Sequence, residues 1–366
     1  MPSPCLAIIA ALAASIHAED VPRPIDELSQ GALQSAFQIL RRDYIRRDEL
    51  TFEELNRAAL QGLLERLHSG AQLEPLRKET SPQEARVHSE FLAPDIAYLR
   101  PETLAEGESG LFEKALAGIV EQKARHLILD LRATKAPGSF DEAALMLQCF
   151  VPQGELMFKM KQTGRDEAEL FISRREPLWR NRVVVLIDRD TNNAAEAIAA
   201  GLKARKLALT IGEPTRGLAV RYAEVPLDDK TALRYAGAEM LLPDDSAVFK
   251  KGVSPMITIH ASMDEKRRVM ETSSGKSLKP FLVDRVRHRF NEAALVAATN
   301  PELDDYVRQS AGKPLPGDEG QRRDVVTQRA LDLLQAGDFT AAGAFLGAAN
   351  PPAVRAGKSK TEKVKP

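Results

Sequence analysis

RVVVLIDRDTNNAAEAIAAGLKARKLALTIGEPTRGLAVRY, residues 182–222, sets two short apolar runs on either side of an Ala-rich stretch. RVVVLID (Arg182–Asp188) and ALTIGEP (Ala208–Pro214) have the composition of strands buried on both faces. NAAEAIAAGLKAR (Asn193–Arg205) between them is rich in strong helix formers. Asp190, Thr191, Asn192 and Asn193, just ahead of it, all suit a helix N-terminus. Strand, turn, helix and strand in this order predict an α/β fold with a largely parallel sheet.

The same alternation continues toward the N-terminus. HLILDLR (His126–Arg132) reads as another buried strand, and Pro137-Gly138 turns the chain into a helix, DEAALMLQCF (Asp141–Phe150). A helix is predicted from about Gly110 to Lys123, with Leu111, Ala115, Leu116 and Ile119 on one face, and a strand at DIAYLR (Asp95–Arg100). Further upstream, ALQSAFQILRRDYI (Ala32–Ile45) and TFEELNRAALQGLLERL (Thr51–Leu67) carry apolar residues at helical spacing, and Thr51 with Glu54 forms a capping-box pattern. Residues 68–93 are polar and weakly periodic and read as a connector. Past Tyr222, DDKTALRYAGAEMLLPDDSAVFKKGVSP (Asp228–Pro255) reads as strands and turns that close the core. AGKPLPGDEG (residues 311–320) is a Gly/Pro-rich linker before the helical RDVVTQRALDLLQAGDFTAAGAFL, and PPAVRAGKSKTEKVKP (residues 351–366) has the composition of a disordered tail.

Composition narrows the function classes. With 366 residues, 43% of them hydrophobic, the chain can bury a sizeable core. Lys and Arg number 51 against 52 Asp and Glu, a balance with no net field to draw nucleic acid or an anionic membrane. Cys5 and Cys149 form neither a metal spacing nor a disulfide framework, and Cys149, within ALMLQCFV, reads as a buried inert thiol. CLAIIAALAASIHA (Cys5–Ala18) is apolar, short for a membrane span and ends in small residues. It reads as a secretory signal cut after Ala18, although its n-region lacks Lys or Arg. The expected organisation is a signal peptide at 1–18, N-terminal helices and connector at 19–93, an α/β core at 94–310, linker and C-terminal helices at 311–350 and a tail at 351–366. The expected location is secreted, in a bacterial periplasm or outside the cell.

Several segments together carry a family resemblance: IAYLR, HLILDLRATKAPGSFDEA, VVVLIDRDTNNAAEAIAAGL, TIGEPTRG and GVSP. In order and spacing they resemble the core of the C-terminal processing peptidases, or tail-specific proteases. The family's corresponding forms are I-G-Y-I, L-D-L-R-N-N-P-G-G-x-L-D-E-A, V-L-V-N-x-x-S-A-S-A-S-E-I, G-E-x-T-x-G-K-G-x-x-Q and G-I-x-P-D. The helices at 30–67 and RDVVTQRALDLLQ resemble the family's flanking helices. The resemblance implies a Clp protease/crotonase-like α/β core with N-terminal helices and a C-terminal helical extension. It implies peptide or protein partners and no cofactor or metal.

Two departures bear on function. The family usually inserts a PDZ domain before the I-G-Y strand, whereas only about 25 residues separate the second helix from Asp95, too few for such a domain. The second departure concerns a Ser-Lys dyad supported by Gln, in which the lysine takes the serine proton. Aligned on Glu196, the family's nucleophilic serine falls on Asn193, with Thr191 and Ala195 at the flanking serines. Aligned on Gly212, Glu213, Thr215 and Gly217, the lysine falls on Leu218 and the Gln on Tyr222. An amide is a poor nucleophile and leucine cannot accept a proton. In a serine peptidase, loss of nucleophile or base costs about 10⁶ in turnover.

The oxyanion hole that the resemblance implies would be formed by backbone N–H groups of Gly138 and Ala194, with Ser139 in place of the family's second glycine. Arg216 and Arg221 flank the vacant lysine position; a guanidinium is no base but suits a carboxylate. His17, His68, His88, His126, His260 and His288 show no metal or triad spacing. The expectation is a pseudopeptidase that binds a peptide or protein partner in the substrate cleft. The alternatives are an active serine-type peptidase using a displaced residue such as Thr191, and a structural subunit associating with itself or an active relative.

Overall fold

The computed structural model describes residues 24–76, 85–134, 138–282, 300, 303, 307 and 323–336. The expected signal peptide, Pro137, the 311–320 linker and the 351–366 tail lie outside these residues. The chain divides into two compact units, residues 1–70 and 71–366.

In the first unit, α1 (Gln30–Asp43) and α2 (Phe52–Leu67) start at good caps. Ser29 Oγ accepts the Ala32 N–H at 3.2 Å, and Thr51 Oγ1 accepts that of Glu54 at 3.1 Å. Neither helix has a buried residue. Several of their apolar residues, among them Phe37, Leu40 and Leu63, are exposed.

The second unit is α/β. β3 (Ile96–Pro101), β4 (His126–Asp130), β7 (Val183–Ile187), β8 (Ala208–Gly212) and β11 (Ile257–Thr258) lie parallel in the order β11-β8-β7-β4-β3, and β2 (Val87–Ala93) is antiparallel at the edge. Every residue of β7 and β8 is buried. Val183, Val185 and Ile187 face a core shared with α3 (Glu108–Glu121), α4 (Phe140–Leu147) and α5 (Ala194–Ala204). Val184 and Leu186 face the opposite core, with Val269 of α6 (Met263–Ser273) and Val326, Leu331 and Leu334 of α7 (Val325–Ala336). Helices on both faces are why these strands are continuously apolar, and each fully buried aliphatic side chain contributes about 1.5–3 kcal/mol.

A second, antiparallel sheet has the order β1-β10-β5-β6, formed by β1 (Ala71–Pro75), β10 (Thr231–Leu241), β5 (Leu156–Gln162) and β6 (Glu169–Ile172). β9 (Val220–Pro226) also pairs with β10. The expected 68–93 connector is therefore corrected: it contributes β1 and β2, one to each sheet. Both are edge strands, whose exposed polar residues weaken the apolar periodicity.

A buried ionic cluster anchors α7. The Arg132 side chain, 2% exposed, donates through Nε and Nη2 to Asp130 at 3.0 and 2.7 Å, and through Nη1 and Nη2 to Asp324 at 2.9 and 2.7 Å. Tyr98 OH also donates to Asp130, at 2.7 Å. Among the described residues no helix is long and apolar enough to cross a membrane.

Candidate functional site

The turn between β7 and α5 is built by its own side chains. Asp190 N–H donates to Asp188 Oδ1 at 2.9 Å, and Thr191 Oγ1 accepts the Asp188 N–H and donates to Leu131 O, each at 3.1 Å. Lys266 Nζ holds Asp188 and Asp190 from α6, at 2.7 and 2.6 Å. The turn ends at Asn193, φ 53° and ψ −125°, the residue before α5. Asn is among the non-glycine residues most tolerant of positive φ.

Small residues bring α5 and the turn before α4 close to their neighbours. A Cβ on Gly201 would stand 2.7 Å from Leu147 of α4. One on Gly138 would stand 2.7 Å from Leu104 Cβ and 3.3 Å from Ala194 Cβ. The Gly138 and Ala194 N–H groups have no acceptor among the described residues. Ser139 caps α4 through Oγ, which accepts the Asp141 and Glu142 N–H groups at 3.2 and 3.4 Å.

Glu196, fully buried in α5, holds the loop that leads into β9. Its Oε1 accepts Thr215 Oγ1 at 2.5 Å and the Gly217 N–H at 2.6 Å, and its Oε2 accepts the Leu218 N–H at 2.6 Å. The 215–218 loop is thus fixed against α5. Asn193 Nδ2 then donates to Val220 O at 2.7 Å and to Leu218 O at 3.4 Å.

These segments enclose a cleft of about 290 Å³ lined by Gly138, Ser139, Phe140, Asp141, Asn193, Val220, Arg221, Tyr222, Glu224 and Arg234. Leu218 is half-buried and meets the site through its backbone. The Arg234 guanidinium lies 3.9 Å from the centre of the Tyr222 ring and pairs with Glu74 at 3.1 Å. Arg221 pairs with Glu169 at 3.0 Å. Burial raises the Tyr222 pKa above its ordinary 10.0, opposed by Arg234, so the phenol is neutral at neutral pH.

Thr191 is fully buried, its hydroxyl is committed to backbone groups, and it does not line the cleft. Arg216 is exposed and also lies off the lining. Arg234, Glu224, Asp141 and Phe140 line the cleft without having been anticipated. The Arg234 and Glu224 pairing across β9 and β10 reveals the first two, and the sequence held no signal for it. His88 and His260 pair with Glu90 and Glu213, away from the cleft. Cys149 is buried; burial pushes its thiol up to about 11, against the pull of Arg175.

The cleft thus offers the Gly138 backbone, an amide at 193 and a neutral phenol, whereas Ala194 is fully buried and does not line it. Lys266, the buried lysine nearest the turn, is held by Asp188 and Asp190 and does not line it. Residues 95–259 match peptidase family S41.

They form a peptidase family S41 domain.

The resemblance drawn from the motifs holds over this region. The S41 domain is similar to a probable CtpA-like serine protease of Staphylococcus epidermidis, 27% identical over 153 residues covering 41% of this chain and 31% of the relative. It is also similar to the carboxy-terminal processing protease CtpA of Bacillus subtilis, 25% identical over 182 residues covering 50% and 38%. The chain spans about a third of the length of these curated relatives, 31% and 38%. Among solved structures, the photosystem II D1 C-terminal processing protease aligns at 21% identity over 50% of each chain, with a TM-score of 0.42.

Proposed function

We propose that this S41 protein is exported and binds an extended peptide or protein segment in its cleft without cleaving it. One observation carries the reading. At the position aligned with the family's nucleophile stands an amide whose nitrogen is hydrogen-bonded to Val220 O and Leu218 O. Leucine and tyrosine, at the positions of base and orienting group, supply no proton acceptor of suitable basicity at neutral pH. β9 is paired with β10, and its residues Val220, Arg221, Tyr222 and Glu224 line the cleft, which favours capture of a ligand strand by main-chain pairing.

The test is incubation of the purified protein with unstructured peptides and a serine-reactive fluorophosphonate. The expected result is neither cleavage nor labelling, with Thr191→Ala unchanged. Labelling, or cleavage that Thr191→Ala abolishes, overturns the reading. A second reading, association with another copy or an active relative, draws on the exposed apolar residues of α1 and α2. A monomeric mass by light scattering, alone and mixed with an active relative, would dismiss it.

A further inference from the structure

Resting on that reading, the geometry points to a ligand class: the cleft recognises an uncharged peptide group inside a chain and rejects a terminal carboxylate. The argument begins with the orientation of the Asn193 amide. Leu218 O and Val220 O are acceptors only, so the group bonded to them is Nδ2 and the amide cannot be flipped. Oδ1 is the other end. It has no hydrogen-bond partner among the described residues, although Asn193 is only 5% exposed. It is not among the unpartnered atoms sealed from solvent, so it opens onto the cleft that Asn193 lines.

An acceptor therefore stands beside a donor. Gly138, whose N–H has no acceptor among the described residues, lines the cleft with Asn193 and packs against Ala194, the next residue in the chain. A peptide group complements this arrangement, its carbonyl accepting from the Gly138 N–H and an N–H donating to Oδ1. A carboxylate has only acceptors and would set its second oxygen against Oδ1. The surrounding charges act in the same direction. The arginines on the lining are already paired, Arg221 with Glu169 and Arg234 with Glu74, while Asp141 and Glu224 also line the cleft. This replaces the carboxylate-binding role that Arg216 and Arg221 suggested in the sequence.

The test uses a short N-acetylated peptide of uncharged residues, made as the free acid and as the C-terminal carboxamide. Each competes against a longer fluorescent uncharged peptide on the full chain. The carboxamide is expected to bind about tenfold more tightly. Asn193→Gly, which keeps the positive φ accessible, is expected to erase the preference, and Asp141→Asn with Glu224→Gln to retain most of it. Equal or tighter binding of the free acid overturns the inference while leaving the cleft reading intact. So does a preference that survives Asn193→Gly and disappears in the double variant, since the rim charges then discriminate. If neither form nor the longer peptide binds, the cleft reading itself fails, and this inference with it.

Discussion

Glu196 shows how one buried carboxylate can hold the loop that leads into a cleft-lining strand. It accepts hydrogen bonds from Thr215, Gly217 and Leu218, which tie the 215–218 loop to α5. Burial, the largest influence, raises its pKa above the ordinary 4.5, and these hydrogen bonds oppose the rise. Because the folded-state pKa is the higher one, the stability Glu196 confers is fully present below the unfolded value. It is lost as pH rises through the folded value. Urea unfolding from about pH 4 to 8 should show wild type losing stability with rising pH more steeply than Glu196→Gln. The variant should be less stable throughout by about 1–3 kcal/mol, because its amide NH₂ meets backbone donors. Parallel pH profiles would contradict this account of Glu196. The sequence marked Glu196 only as an alignment anchor, since its partners lie about 20 residues farther along the chain, beyond the reach of local helix contacts.

At the scale of elements, α4 and α5 meet the cleft by their N-termini, and their capping residues line it. Ser139 serves α4 with one hydroxyl oxygen that accepts the backbone N–H groups of Asp141 and Glu142. Ser139→Ala should cost about 1 kcal/mol in urea unfolding and speed amide exchange at Asp141 and Glu142; unchanged exchange would mean the cap is dispensable. The elements read most clearly from sequence were β3, β4, β7, β8, α3 and α5, because strands buried on both faces, a one-sided helix and an Ala-rich one leave a local pattern. β1 and β2 were hidden by their edge positions. β5 and β6 were not anticipated: LMFKMKQ and ELFI lack a sustained run of β-branched residues.

For the whole molecule, the Asp130, Arg132 and Asp324 cluster connects the end of β4 to α7 across nearly two hundred residues of sequence. Removing one partner of such a buried set leaves charge without compensation. Asp324→Ala should therefore destabilise the second unit by about 3–5 kcal/mol. Amide exchange should rise in α7 before it rises in β7. A loss below about 1 kcal/mol would show that apolar packing alone holds α7. The charge census gave no hint of this cluster, since balanced totals do not say which charges are buried together.

By itself, the sequence determined the α/β class, the parallel strands at the centre of the unit, the S41 resemblance over its core and the residues at the three aligned catalytic positions. The first two are written in local composition and periodicity, and the last two follow from the order of motifs that resemble the C-terminal processing peptidases. Tertiary structure alone decided what those residues face. It bound Thr191 to Leu131 O, away from the cleft, and turned Asn193 Nδ2 toward Val220 O. It also brought Arg234 over Tyr222 from a different strand. A side chain's direction depends on partners that become neighbours only when the sheets pair and the helices pack, so no local pattern can record it.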